Sequence, residues 1–146
     1  MATSPSEEIR IGQLAIRFLL EGEASGGSVA VFEFDVPAAA RVPIAHSHDG
    51  YEETIYGLEG VLTWTVDGEQ TEIGPGEVLC IPRGVVHRFD NDHEVEAKML
   101  AIISPGILSF DYFREMAAVI KGATDGPPDP AALAEVMRRH GLPPAP

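Results

Sequence analysis

The chain has 146 residues, 45% of them hydrophobic and 23% charged, a length and balance that suit one domain with a sizeable core. Ten Lys and Arg stand against 23 Asp and Glu, for a formal net charge of −13, which argues against nucleic acid or an anionic membrane as partner, since both need clustered basic residues. No run approaches the ~18 apolar residues of a membrane span, and the polar, acidic start from Met1 to Glu8 has no signal-peptide pattern, so a cytoplasmic protein is expected.

Residues 1–8 are read as a loose terminus. Leu14, Ile16, Phe18 and Leu20 alternate with smaller or polar neighbours, and one N-terminal strand is expected from Ile9 to Leu20. Glu21 to Gly27 is a turn or loop. Ala30, Phe32 and Phe34 then mark one face of a second strand. Pro37 to Pro43 is expected to be extended, because prolines at both ends disfavour helix. Asp67-Gly68 between Val61–Val66 and Glu69–Ile73 is a strong hairpin signal. Gly74-Pro75-Gly76 is a further turn, followed by short strands at Val78–Ile81, Val85–Phe89 and Glu96–Ile103. Trp64 is expected to pack inside, as is Cys80, the single cysteine, which forbids an internal disulfide. Many short strands punctuated by Gly and Pro predict a sandwich or barrel over residues 9–104.

The pattern changes at Ser104-Pro105. Ile107 to Lys121 has helical spacing, with Phe110, Phe113, Ala117 and Ile120 on one face and Gly122 as C-cap. Asp129 is placed as an N-cap with Pro130 at the first position of a short helix carrying Leu133, Val136, Met137 and His140. Residues 105–146 are therefore expected to be a helical extension whose Phe and Met stripes pack on the strands. His140 is expected at the surface, offsetting the helix dipole.

The chemistry concentrates in His46-Ser-His48, Glu53 and His87. Residues two apart share a face of a strand, so His46 and His48 can point into one space. Asp49-Gly50 can turn the chain back to present Glu53, and Gly60 and Gly76 permit sharp reversals. Glu52 is expected to face away from the site, although a bulge would exchange it with Glu53. Pro82-Arg83-Gly84 sets a turn before His87. The period-2 count puts Val85 and Phe89 on the face of His87 and Ile55 on that of Glu53; together with Tyr51 these are the expected pocket walls. Tyr56 and Arg41 are further candidates for substrate contact. Asn91 is expected to fasten a turn and His93 to sit in an exposed loop. Three imidazoles and a carboxylate suit one divalent transition metal, whether Fe, Mn, Ni, Co, Zn or Cu, and a six-coordinate ion would keep two positions open. Surface histidines beside an acidic loop are the plainer alternative.

These spacings resemble those of the cupin family. Its first motif is a glycine, five residues, His-x-His, three or four residues, Glu, six residues and Gly; here His46-Ser-His48, Glu53 and Gly60 match, with Ala40 in place of the opening glycine. Its second motif is matched by Gly76, Pro82-Arg83-Gly84, His87 and Asn91. The likeness is to small single-domain bacterial cupins of the quercetinase type. It implies an all-β double-stranded β-helix, or jelly-roll, barrel with C-terminal α-helices. It also implies a metal held by His46, His48, Glu53 and His87, with Glu53 doubling as a proton acceptor. The implied activity is that of a metal-dependent dioxygenase acting on a small enolic or aromatic molecule. An isomerase or lyase and a non-catalytic ligand binder are the alternatives. The expected partners are a small-molecule substrate and a second copy of the chain, because sheet edges need covering.

Overall fold

The computed structural model describes residues 5, 7–40, 44–123, 126–142 and 144–145. The strands are β1 (Ile9–Ile11), β2 (Leu14–Leu20), β3 (Ala30–Val36), β4 (Glu52–Glu59), β5 (Leu62–Val66), β6 (Glu69–Ile73), β7 (Val78–Ile81), β8 (His87–Asp90) and β9 (Ala97–Ser104), followed by helices α1 (Phe110–Lys121) and α2 (Pro130–Arg139). Six strands form one sheet in the order β1-β2-β3-β9-β4-β7, and β6-β5-β8 form a second. No helix among the described residues is long and apolar enough to cross a membrane.

Strict alternation makes the large sheet. Ala30, Phe32, Phe34 and Val36 of β3 are buried, as are Ala97, Met99, Ala101 and Ile103 of the adjoining β9. Leu14, Ile16 and Phe18 of β2 continue the same face. Asp67 and Gly68 both take positive φ, 51° and 80°, and Val66 pairs directly with Glu69. That is the primed two-residue turn expected of Asp-Gly, whose twist suits a hairpin. Gly60 is required for space as well as for its φ of 66°: a Cβ there would lie 2.4 Å from the Glu96 carbonyl oxygen. Asn91 fastens its turn as expected, donating from Nδ2 to the carbonyls of Val36 and Val95 and accepting from the His93 N–H.

Helix α1 docks through aromatic contacts. The Phe18 ring stacks on Phe32 at 5.1 Å and meets Phe110 and Phe113 at 5.7 and 5.8 Å. Each such pair adds roughly 0.5–1.5 kcal/mol to the area it buries. Asp129 caps α2 by accepting from the Ala131 N–H at 3.0 Å, with Pro130 behind it.

Several expectations need correction. The segment from Ile9 to Leu20 is a hairpin, with Ile9 opposite Ile16; Gly12, at φ 59°, reverses the chain where a continuous strand was expected. Pro37 to Ala40 is a turn, closed by the Ala40 N–H on the Pro37 carbonyl; residues 41–43, Arg41 among them, lie outside the described set. β8 starts at His87 because the Pro82 turn holds Val85, whose N–H donates to the Pro82 carbonyl. Cys80 is exposed. β7 is the outermost strand of its sheet, and Ile81 takes the inward position beside it. Of the loose terminus expected over 1–8, residues 1–4 and 6 lie outside the described set, whereas Glu8 is paired with Arg10 and Arg17. His140 is half-buried and joined to Glu115 of α1, so it ties the two helices together.

Candidate metal centre

His46 and His87 are brought together by backbone pairing. The His46 N–H donates to the His87 carbonyl at 3.1 Å and the His87 N–H to the His46 carbonyl at 2.9 Å. This isolated bridge holds the two rings 4.6 Å apart. His48, two residues on, accepts at its carbonyl from the Gly84 N–H at 2.8 Å. Its ring lies 4.5 Å from that of His87 and 5.1 Å from that of His46. A ring nitrogen from each of the three lies within 4.8 Å of the others.

Local hydrogen bonds decide which nitrogens face inward. His46 Nδ1 contacts the Ile44 carbonyl and His87 Nδ1 the Val85 carbonyl, each at 3.0 Å. A carbonyl only accepts, so Nδ1 carries the proton in both rings and Nε2 keeps its lone pair. Both nitrogens of the His48 ring and Nε2 of His87 are buried without a hydrogen-bond partner. Orphaned buried nitrogens of this kind each cost roughly 1–3 kcal/mol, and a cation held by one nitrogen of each ring would remove that cost at the nitrogens that ligate it.

Glu53, on β4, points inward and is 8% exposed, with Oε2 3.4 Å from His48 Nε2. Its neighbour Glu52 faces solvent and binds Arg83, so the strand carries no bulge that would exchange the two. The compact set is the three histidines, which Glu53 approaches from the side of His48. Burial pushes the Glu53 carboxyl up to about 7. Burial also lowers all three imidazoles; His87, beside His46, falls to about 4, and His48, next to both, falls further. Each histidine is therefore neutral at pH 7, the form that ligates a metal.

A cavity of about 520 Å³ opens beside this cluster, with His46, His48 and Glu53 among its lining residues. Of the four expected wall residues, Phe89 lines this cavity and Ile55, Tyr51 and Val85 do not. Ile55 is fully enclosed in the core. Tyr51 lies behind His48, stacked on its ring at 4.4 Å with its hydroxyl buried. Tyr56 is 38% exposed on β4, and His93, partly exposed, stands 3.5 Å from Glu72.

Much of the cavity wall went unrecognised in the sequence. Leu108, Tyr112, Phe113, Met116, Leu133, Met137 and Leu142 roof it from the C-terminal extension. Their apolar periodicity was legible, but it does not say whether a stripe meets other side chains or an open space. The last described residues also return to the site. Pro144 bridges His46, and the Ala145 N–H donates to the Ala45 carbonyl at 2.9 Å.

Residues 32–103 match the model of the Cupin_2 cupin domain. This chain carries a cupin domain. It is 26% identical over 122 residues to a quercetin 2,3-dioxygenase of Bacillus subtilis, an alignment covering 84% of this chain and 35% of that protein. It is 35% identical over 60 residues to the tetracenomycin polyketide synthase protein TcmJ of Streptomyces glaucescens, covering 41% and 40% of the two chains. The matched stretches thus cover well under half the length of these two curated relatives. A Thermotoga maritima structure described as a predicted oxalate decarboxylase shares the fold with a TM-score of 0.62 and 23% identity, over 70% of this chain and 93% of that one. With two sheets and two C-terminal helices, the chain has the jelly-roll architecture of these cupins.

Proposed function

We propose that this cupin is a metal-dependent dioxygenase of the quercetinase type, acting on a small enolic or aromatic molecule with a divalent metal held by His46, His48, His87 and Glu53. The observation that carries this proposal is the set of buried imidazole nitrogens without hydrogen-bond partners beside an apolar cavity. Similarity to a quercetin dioxygenase supports the reaction class. The metal, when bound, supplies Lewis acidity and open positions for oxygen ligands.

The chain's own groups do the rest. Phe34, Phe89 and Phe113 give a ring-shaped substrate apolar surface and exclude water. Glu53, whose carboxyl titrates near neutral pH because it is buried, suits a group that takes up the proton of an enolic hydroxyl. The Nδ1 bonds to Ile44 and Val85 keep two imidazoles aimed at the metal while substrate enters.

The test has two stages. Protein purified without added metal is measured for its elemental content beside the His48→Ala variant, and oxygen uptake is then followed with flavonols and small enolic acids. Substoichiometric metal in His48→Ala and flavonol-dependent oxygen consumption by the parent protein are expected. Equal metal in both proteins would overturn the ligand set. Turnover of an enolic acid without oxygen uptake would replace the dioxygenase with a lyase or isomerase. Ligand binding without any turnover would leave a binding protein.

A further inference from the structure

We propose that Tyr112 donates the hydrogen bond that orients the ligand's enolic oxygen at the histidine end of the cavity, a role that rests on the enolic-substrate reading above. Among the side chains lining the cavity, only those of His46, His48, Glu53 and Tyr112 carry a polar N or O atom. The first three belong to the candidate metal centre. Tyr112 is therefore the one hydrogen-bonding side chain that the helical roof contributes, set in a wall of Phe, Leu, Ile, Met and Pro.

Its position is fixed from several sides. Tyr112 lies in the first turn of α1, its N–H on the Ser109 carbonyl at 3.2 Å, and is 5% exposed. Phe113 meets its ring edge-on at 4.9 Å and His140 at 5.3 Å, while His140 is itself joined to Glu115. A phenol held this way has little rotamer freedom left to lose when a ligand arrives. Burial, and then the charge of Glu53, push the phenol above its ordinary range, so the group remains a neutral O–H donor. A buried donor in an otherwise apolar wall selects for ligands that bring an acceptor to it, because a ligand without one leaves the hydroxyl unsatisfied. An oxygen gaining negative charge as its proton moves to Glu53 is the strongest acceptor available.

The experiment uses the full chain loaded with Co(II), with metal content measured first. 3-Hydroxyflavone is titrated against flavone, which lacks the enolic hydroxyl. Tyr112→Phe is expected to hold as much cobalt as the parent, to bind 3-hydroxyflavone roughly tenfold more weakly, and to bind flavone no more weakly. Tyr112→His, which keeps a ring with an N–H donor, is expected to recover part of the preference. An unaltered preference in both variants overturns the role of Tyr112 and leaves the site reading intact. Loss of cobalt from Tyr112→Phe marks a structural residue and also overturns it. A cobalt-loaded parent protein that binds neither flavonoid overturns the enolic-substrate reading itself, and the role of Tyr112 falls with it.

Discussion

At one end of the cavity, His48 and His87 keep buried ring nitrogens without hydrogen-bond partners and Glu53 is enclosed beside them. At the other, Phe113, Met116, Leu133 and Met137 offer hydrocarbon and thioether surface. The helical end is a finished structure: its apolar side chains gain roughly 1.5–3 kcal/mol each when fully buried, whatever occupies the cavity. The histidine end is costly until a cation arrives, because desolvated nitrogens and a buried carboxyl find too few partners within the protein. The contrast teaches where to look for each property. Metal affinity should reside in the loops and strands of residues 46–87, and stability and ligand shape in the extension from Leu108 onward.

Four perturbations sharpen or break that division. The largest effect is expected from His87→Ala, which removes one of three imidazoles. Metal affinity should fall by more than the roughly 10–100-fold typical of outer-shell changes, read by elemental analysis after desalting, while the metal-free fold still melts cooperatively. Next, Phe113→Ala should cost about 3–5 kcal/mol of stability by denaturant unfolding, because its ring packs on both Phe18 and Phe32. Metal content should stay unchanged; a variant that loses its metal as well would erase the division between the two ends.

Acid should act chiefly on the histidine end. In metal-free protein the three imidazoles titrate below the ordinary value of 6.5. The unfolded chain therefore binds more protons as pH falls from about 6.5 towards 4, and stability declines with it. Glu53 opposes this, since its folded value near 7 lies above its ordinary 4.5. The proton it retains on folding favours the native state below pH 4.5, and that advantage is lost as pH rises through 7. Three histidines outweigh one carboxyl, so a net loss towards acid is expected, up to about 1.4 kcal/mol per pH unit for each excess proton. Metal-loaded protein, with its imidazoles occupied, should resist until the metal is displaced. Denaturant midpoints measured from pH 7 to pH 4 with and without metal check this, and coincident profiles would count against metal binding at these residues. The smallest effect is expected from Asp129→Ala, which removes the cap of α2 and should cost about 1 kcal/mol without altering metal content. Thermal melting beside elemental analysis reads both.

Much of the histidine end could be read from the chain because its determinants are local. His46 and His48 are two residues apart, Asp67-Gly68 specifies its own turn, and the alternation in β3 and β9 declares a buried face. The errors arose where edge position or a neighbouring turn overrode the apolar pattern. Cys80 has the same apolar neighbours a buried position would have, but on β7, the outermost strand of its sheet, alternation turns Ile81 inward and leaves Cys80 exposed. Val85 fits the period of His87, yet the turn at Pro82 claims it first.

By itself the sequence determined the strand and turn grammar, the candidate ligand histidines and the inward direction of Glu53, because turn chemistry and two-residue periodicity act over a few bonds. Only the tertiary structure decided that α1 and α2 roof a cavity rather than seal a core, that Tyr112 enters it, and that residues at Pro144 and Ala145 close over His46. An apolar stripe records only that water is unwelcome on one side of a helix. Whether that side meets side chains or an open cavity is settled by elements far away in the chain, which no local pattern encodes.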